Sequence, residues 1–197
     1  MMHGKLMPLA LLAVALAATG CSVEKKGSNG NNEEVKIETP VGGVKVKTND
    51  AAIAADAGLA VYPGATVVRN DRNNGAADVE LSFGDFHLRV RALGYQTSDS
   101  PGKVSAFYRK ELTRYGDVIE CKDDRPVGTP SRTSEGLTCD EGKHIKINNV
   151  DRHAEAEIEL KTGSKLHQHI VAIEPQSGGT KFGLATFDLP SEGKESN

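Results

Sequence analysis

Residues 78–92, DVELSFGDFHLRVRA, constrain this chain more than any other stretch. Gly84-Asp85 fit a two-residue type II′ turn, with Gly at the first central position, and such a turn sets the register of the strands on either side. That register places Phe83 opposite Phe86, Leu81 opposite Leu88 and Val79 opposite Val90 on one face. The other face pairs Ser82 with His87, Glu80 with Arg89 and Asp78 with Arg91. Apolar meets apolar and acid meets base, which is how cross-strand pairs stabilise a sheet.

The chain around this hairpin alternates between strand and helix signals. Residues 35–48 form two short alternating runs around a Pro40 to Gly43 turn. Asp50 then caps a short Ala-rich helix ending at Gly58, and Pro63-Gly64 occupy the middle of a type II turn. A strand through Val67 and Val68 and a polar loop over 70–75 lead into the hairpin. Beyond it, Ser100-Pro101 open a helix that ends at Gly116, with Val104, Phe107, Tyr108, Leu112 and Tyr115 recurring on one face. Arg109, Lys110 and Arg114 fall on the solvated side, toward the C-terminal end where the helix dipole favours cations. Strand patterns follow at 118–122, 137–139, 144–148, 154–160, 166–173 and 181–189. Strands, a helix, then more strands imply an α+β fold, an antiparallel sheet with one main amphipathic helix packed on one face. Residues 35–190 are expected to form this single domain, with 35–48 alternatively a separate small hairpin and 191–197 a disordered tail.

The N-terminal stretch has a different character. His3 and Lys5 precede an apolar run from Leu6 to Ala18 of about 13 residues, and small residues lead to Cys21, the layout of a cleavable secretory signal. The run is shorter than the roughly 20 residues of a spanning helix. The ending Ala18-Thr19-Gly20-Cys21 resembles the signal peptides of bacterial lipoproteins. The resemblance implies cleavage after residue 20 and diacylation of Cys21, and Ser22, in place of Asp, implies sorting to an outer membrane facing the periplasm. Two or three acyl chains hold a protein stably, where one gives only marginal binding. Residues 21–34 are otherwise almost wholly polar and are expected to be a flexible tether.

Removing residues 1–20 takes away a single Lys and shifts the net charge from −3 to −4. That balance offers no positive field for nucleic acid. With Cys21 lipidated, Cys121 and Cys139 remain as an even pair in an oxidising compartment, and a disulfide follows. It would pin the aperiodic, proline-containing stretch between them, and the spacing lacks the C-x-x-C pattern of common metal or redox pairs.

Three motifs carry a second resemblance. V-Y-P-G-A at 61–65, T-S-D-S-P at 97–101 and V-x-x-F-Y-x-x-x-L-x-x-x-G from Val104 to Gly116 are similar to an arrangement in uncharacterised bacterial exported proteins and lipoproteins. The resemblance spans roughly residues 59–117 and implies an exported α+β domain. It brings no activity and no functional residues with it.

Signals for chemistry are sparse. Ser22-x-x-Lys25, Ser98-Asp99-Ser100 and Lys161-Thr162-Gly163 follow the motif order of serine β-lactamases, but Ser22 adjoins the lipid site and the folded part is too small for that fold. His167 and His169 alternate on one strand face and could hold a metal if a third ligand converged, with His144 and His153 nearby. A tight Gly163-Ser164 turn would set His167 against Leu160 and His169 against Ile158, whereas a loop over 161–165, favoured because it also sets Leu160 against Leu166, would oppose His167 to Glu159 and His169 to Glu157 and give a face decorated with Glu and His. The Glu155, Glu157 and Glu159 row is more in keeping with solubility than with acid-base work. Tyr62, Tyr95, Tyr108 and Tyr115 could line a glycan or peptide groove, with core packing as the simpler role. The expectation is therefore a lipid-anchored envelope domain, binding or structural in role and without a catalytic set or cofactor. Its partners would be the membrane and an envelope protein, peptide or glycan. The alternative is a metal-binding or hydrolytic protein using His167 and His169.

Overall fold

The computed structural model describes residues 21–26, 34–69, 75–140 and 158–190. The signal segment, residues 27–33 of the expected tether, the strand expected at 144–148, most of the one at 154–160, His144, His153, Glu155, Glu157 and the tail at 191–197 lie outside them. The described residues form an α+β fold dominated by one antiparallel sheet.

Its strands are β1 (Ser22–Lys26), β2 (Glu34–Thr39), β3 (Gly42–Lys47), β4 (Thr66–Val67), β5 (Ala76–Phe83), β6 (Phe86–Thr97), β7 (Val118–Lys122), β8 (Arg125–Pro126), β9 (Ile158–Gly163), β10 (His167–Gln176) and β11 (Gly179–Asp188). Across the sheet they run β1-β2-β3-β5-β6-β11-β10-β9-β7-β8, and β4 pairs with β6 beyond the start of β5. The β5–β6 hairpin takes the register its turn dictates, with Phe83 opposite Phe86 and Asp78 opposite Arg91. Gly84 has φ of 56°, the positive value that a type II′ turn requires of its first central residue.

Two helices cover one face. The longer, α2 (Pro101–Leu112), packs against β9, β10 and β11, and continues into a 3-10 turn over Thr113–Tyr115. Its stripe behaves as the spacing requires: Val104, Tyr108 and Leu112 are fully buried, and Phe107 and Tyr115 are packed at the margin. Each such buried side chain contributes on the order of 1.5–3 kcal/mol. The shorter helix, α1 (Asp50–Ala57), lies against β5 and β6 and adds Ile53 and Ala57 to the same core, so the layer holds two helices where one main helix was expected. Its cap is Asn49, whose side chain accepts from the Ala52 N–H, and Asp50 is the first helical residue. Gly58 closes α1 in the left-handed conformation. Ser100 is the N-cap of α2, but its hydroxyl makes no capping bond, and the start of the helix rests on Pro101 and on Ser100's carbonyl.

Several local expectations change. Residues 22–26 are an edge strand, although composition alone assigns them to a tether. Antiparallel pairing with β2 lays Glu24 opposite Lys36 and Lys26 opposite Glu34, which lets a polar segment join a sheet without an apolar run. The 35–48 hairpin joins the main sheet, β3 pairing with β5 along its whole length. Residues 137–139 form no strand. Leu137 and Cys139 instead tuck beneath the sheet with Ile119 and Cys121 as a second small core.

Candidate functional site

The pairing of eight strands creates two polar rows on the helix-bearing face. One runs Lys26, Glu34, Lys47, Asp78, Arg91, Thr186, His169, Thr162, each directly opposite the next. The other runs Glu24, Lys36, Lys45, Glu80, Arg89, Asp188, His167. From β3 to β11 the sign of charge reverses almost strand by strand. The strongest link is Arg89 to Asp78, where Nε and a terminal nitrogen donate to the two carboxylate oxygens at 2.9 and 2.6 Å. Asp78 is 3% exposed. Burial alone would raise its carboxyl, but the Arg89 hydrogen bonds and charge outweigh it and hold the group below the usual carboxylate value.

At the far end of these rows the structure brings His167 and His169 to one face, as alternation requires. The His167 Nδ1 lies 3.2 Å from Asp188 Oδ1, and the other oxygen of Asp188 accepts from Arg91 at 3.2 Å. His169 stacks on Tyr115 at 3.8 Å between centroids and 18° between planes. Arg114 covers Tyr115 at 4.9 Å and, with the Tyr115 hydroxyl, donates to the Gly58 carbonyl. Burial lowers the basicity of His169 most. Arg114 and Arg91 lower it further and Asp188 acts against them.

The glutamates do not join this face. Ser164 donates its N–H to the His167 carbonyl at 2.9 Å, and its hydroxyl accepts from the N–H groups of Leu166 and His167. The turn therefore lies at 164–167, and Lys161, Thr162 and Gly163 stay in β9. The resulting register sets His169 opposite Thr162 and Glu159 opposite Ala172, so Glu159 points away from the histidines. Lys161 is buried, its ammonium donating to the Cys139 carbonyl and paired with Glu159, both at 3.0 Å.

Chemically, an imidazole held by a carboxylate is half of a general-base pair. Among the described residues no group of three or more His, Cys, Asp or Glu could hold a metal ion, and the adjacent Ser164 hydroxyl is engaged in its turn. The β-lactamase-like fragments lie far apart. Ser22 on β1 and Lys161 on β9 are separated by seven strand spacings, about 34 Å. Tyr62, Tyr95 and Tyr108 are core residues, and Tyr115 serves as the platform for His169. Arg109 is tied to Glu120, and Arg114 to Gly58, so the basic side of α2 is bound into its surroundings at these two points. Sequence patterning missed Asp188, Arg91 and Tyr115 as neighbours of the histidines. Alternation could have placed each on a face, but only strand order joins them.

The cysteines divide into two kinds. Cys121 and Cys139 form a disulfide, Cα to Cα 5.6 Å, closing the loop beneath β7 and β9. Cys21 is free and exposed, one residue before β1. The described residues contain no helix long and apolar enough to cross a membrane. No family model, curated protein or solved structure matches the chain.

Proposed function

We propose that the protein is a lipid-anchored domain of the bacterial cell envelope, held through Cys21 at the outer membrane facing the periplasm. There it binds an envelope protein, a peptide or a glycan, or has a structural role. The observation that carries this is the division of the three cysteines: the two inside the domain are joined to each other, and the one behind the signal-like segment is free at the start of the first strand. The expected outcome of Cys21→Ala is a chain recovered in the soluble fraction, and a variant still sedimenting with membranes would refute the anchor. Crosslinking in intact envelopes followed by purification tests the binding role, and recovery of no specific partner counts against it.

The contact between His167 and Asp188 favours the second reading, a metal-binding or hydrolytic protein using His167 and His169. Zinc or copper titration that shifts the melting temperature and perturbs the histidine spectra would promote it. A titration without either effect would remove its metal-binding form, and hydrolysis of ester or peptide probes that is absent, or unchanged by His167→Ala, would remove the other.

A further inference from the structure

The sheet has two unlike faces at the end where Cys21 enters. The face shared with the helices carries the charged rows described above. The opposite face is largely apolar, its rows running Val23, Ile37, Val44, Leu81, Leu88 and, beside it, Lys25, Val35, Val46, Val79, Val90. Large hydrophobic side chains are exposed at seven described positions, and five of them gather at this one corner: Val23 (71%), Ile37 (38%), Val41 (74%), Phe83 (48%) and Phe86 (43%). Their gathering follows from the register. Ser22 lies opposite Glu38, and Gly42 lies opposite Phe83, which lies opposite Phe86, so the start of β1, the β2–β3 turn holding Val41 and the β5–β6 turn share one end of the sheet. Cys21 is two residues before Val23 and one before the strand begins, and strand alternation puts it on the same apolar face.

We infer that this corner is a membrane-docking surface, seated at the boundary between headgroups and acyl chains beside the lipid on Cys21. The inference rests on acylation of Cys21. Because the sheet begins at Ser22, no spacer lets the domain stand away from the bilayer once acyl chains are inserted. The apolar corner is then carried to the membrane by the anchor itself, and the charged rows on the reverse face point to water. Asp85, exposed at the tip of the β5–β6 turn between the two phenylalanines, limits the docking to headgroup depth. Aromatic side chains at that level gain from burying an apolar body within roughly 5–10 Å of the surface. A docked sheet also presents its charged face, with His167 and Asp188, to periplasmic partners in one fixed orientation.

The chain contains no tryptophan, so a single introduced one reports alone. Phe86→Trp and, as a control, Val127→Trp would be made in the full protein, purified with its lipid and placed in zwitterionic vesicles with or without brominated acyl chains. Val127 is also exposed but follows β8, five strand spacings or about 24 Å from β6. At position 86 the emission is expected to shift to the blue and to lose roughly half its intensity to the bromines, a quencher within reach at interfacial depth. At position 127 it is expected to stay red and unquenched. An acylated, vesicle-bound Phe86→Trp protein with red, unquenched emission would overturn the docking and leave the anchor standing. Blue but unquenched emission would overturn it in favour of a second copy of the chain on the same corner. An unmodified Cys21 in the mass spectrum of the same sample would overturn both the docking and the anchor.

Discussion

Tyr62 donates its backbone N–H to the hydroxyl of Tyr108 at 3.1 Å, joining the turn at 61–65 to the middle of α2 across the core. The Tyr62 hydroxyl donates to Asp99 at 2.9 Å, just before the same helix. The three motifs at 61–65, 97–101 and 104–116 are thus one hydrogen-bonded unit. Thr180 extends it into β11 by donating to the Asp99 carbonyl at 2.6 Å.

Tyr108→Phe removes the acceptor and leaves a buried backbone N–H without a partner, a loss of about 1–3 kcal/mol. Tyr62→Phe removes only a bond to the partly exposed Asp99 and should cost less. Urea unfolding is expected to show a lower midpoint for Tyr108→Phe at unchanged slope, with Tyr62→Phe between it and the parent.

Asp78 and Arg89 make the one bidentate link in the charged rows. Asp78→Asn keeps the shape but removes the main partner of the Arg89 guanidinium, leaving it Asp56 at 3.4 Å and the neighbouring Glu80, and the expected loss is about 1–2 kcal/mol given its partial exposure. Since the folded Asp78 lies below its ordinary value of 3.8, its contribution is present above that value and disappears as the pH falls through the folded one. Asp78→Leu combined with Arg89→Met should recover part of the loss in denaturant titrations.

Burial, aided by Arg114 and Arg91, lowers the folded value of His169 below the ordinary 6.5. Its contribution to stability is complete above that ordinary value. It falls as the pH drops toward the lowered folded value, because the unfolded chain takes up the proton first. Denaturation followed between neutral and mildly acidic pH should show this decline, and His169→Phe, which keeps a ring on Tyr115, should reduce it.

Gly163 has φ of 98°, and a Cβ added there would come within 2.2 Å of the His167 carbonyl oxygen. Gly163→Ala is therefore expected to destabilise by about 2–3 kcal/mol, combining left-handed strain with a clash in the turn that sets the β9–β10 register. An unchanged melting temperature would contradict that register.

Cys121→Ala with Cys139→Ala opens a 19-residue ring, which in the chain-entropy model costs roughly 3 kcal/mol. Reductant should lower the melting temperature of the parent by a comparable amount and leave the double variant unaffected.

Where one local device decides the structure, the sequence was a sufficient guide. Gly84-Asp85 alone set the β5–β6 register, and the spacing from Val104 to Leu112 alone identified the buried side of α2. It was insufficient where partners distant in the chain decide. Residues 22–26 look like a tether until Lys36 and Glu34 come alongside, and Leu137 and Cys139 look like a strand until the disulfide draws them under Ile119. At β9 the choice lay between competing turns, and the Ser164 hydroxyl, caught by two backbone N–H groups, moved the turn past Gly163 and took Glu159 off the histidine face. The contact of His167 with Asp188 needs β10 and β11 to be neighbours, which alternation alone does not say.

Both the proposed anchor and the proposed docking depend on a lipid at Cys21. The most direct measurement is the intact mass of the membrane-extracted protein together with that of its N-terminal peptide. The expected result is a chain beginning at Cys21, heavier than its sequence by a diacylglyceryl group, with or without a third acyl chain on the amine. A chain retaining residues 1–20, or one beginning elsewhere with an unmodified Cys21, would contradict it.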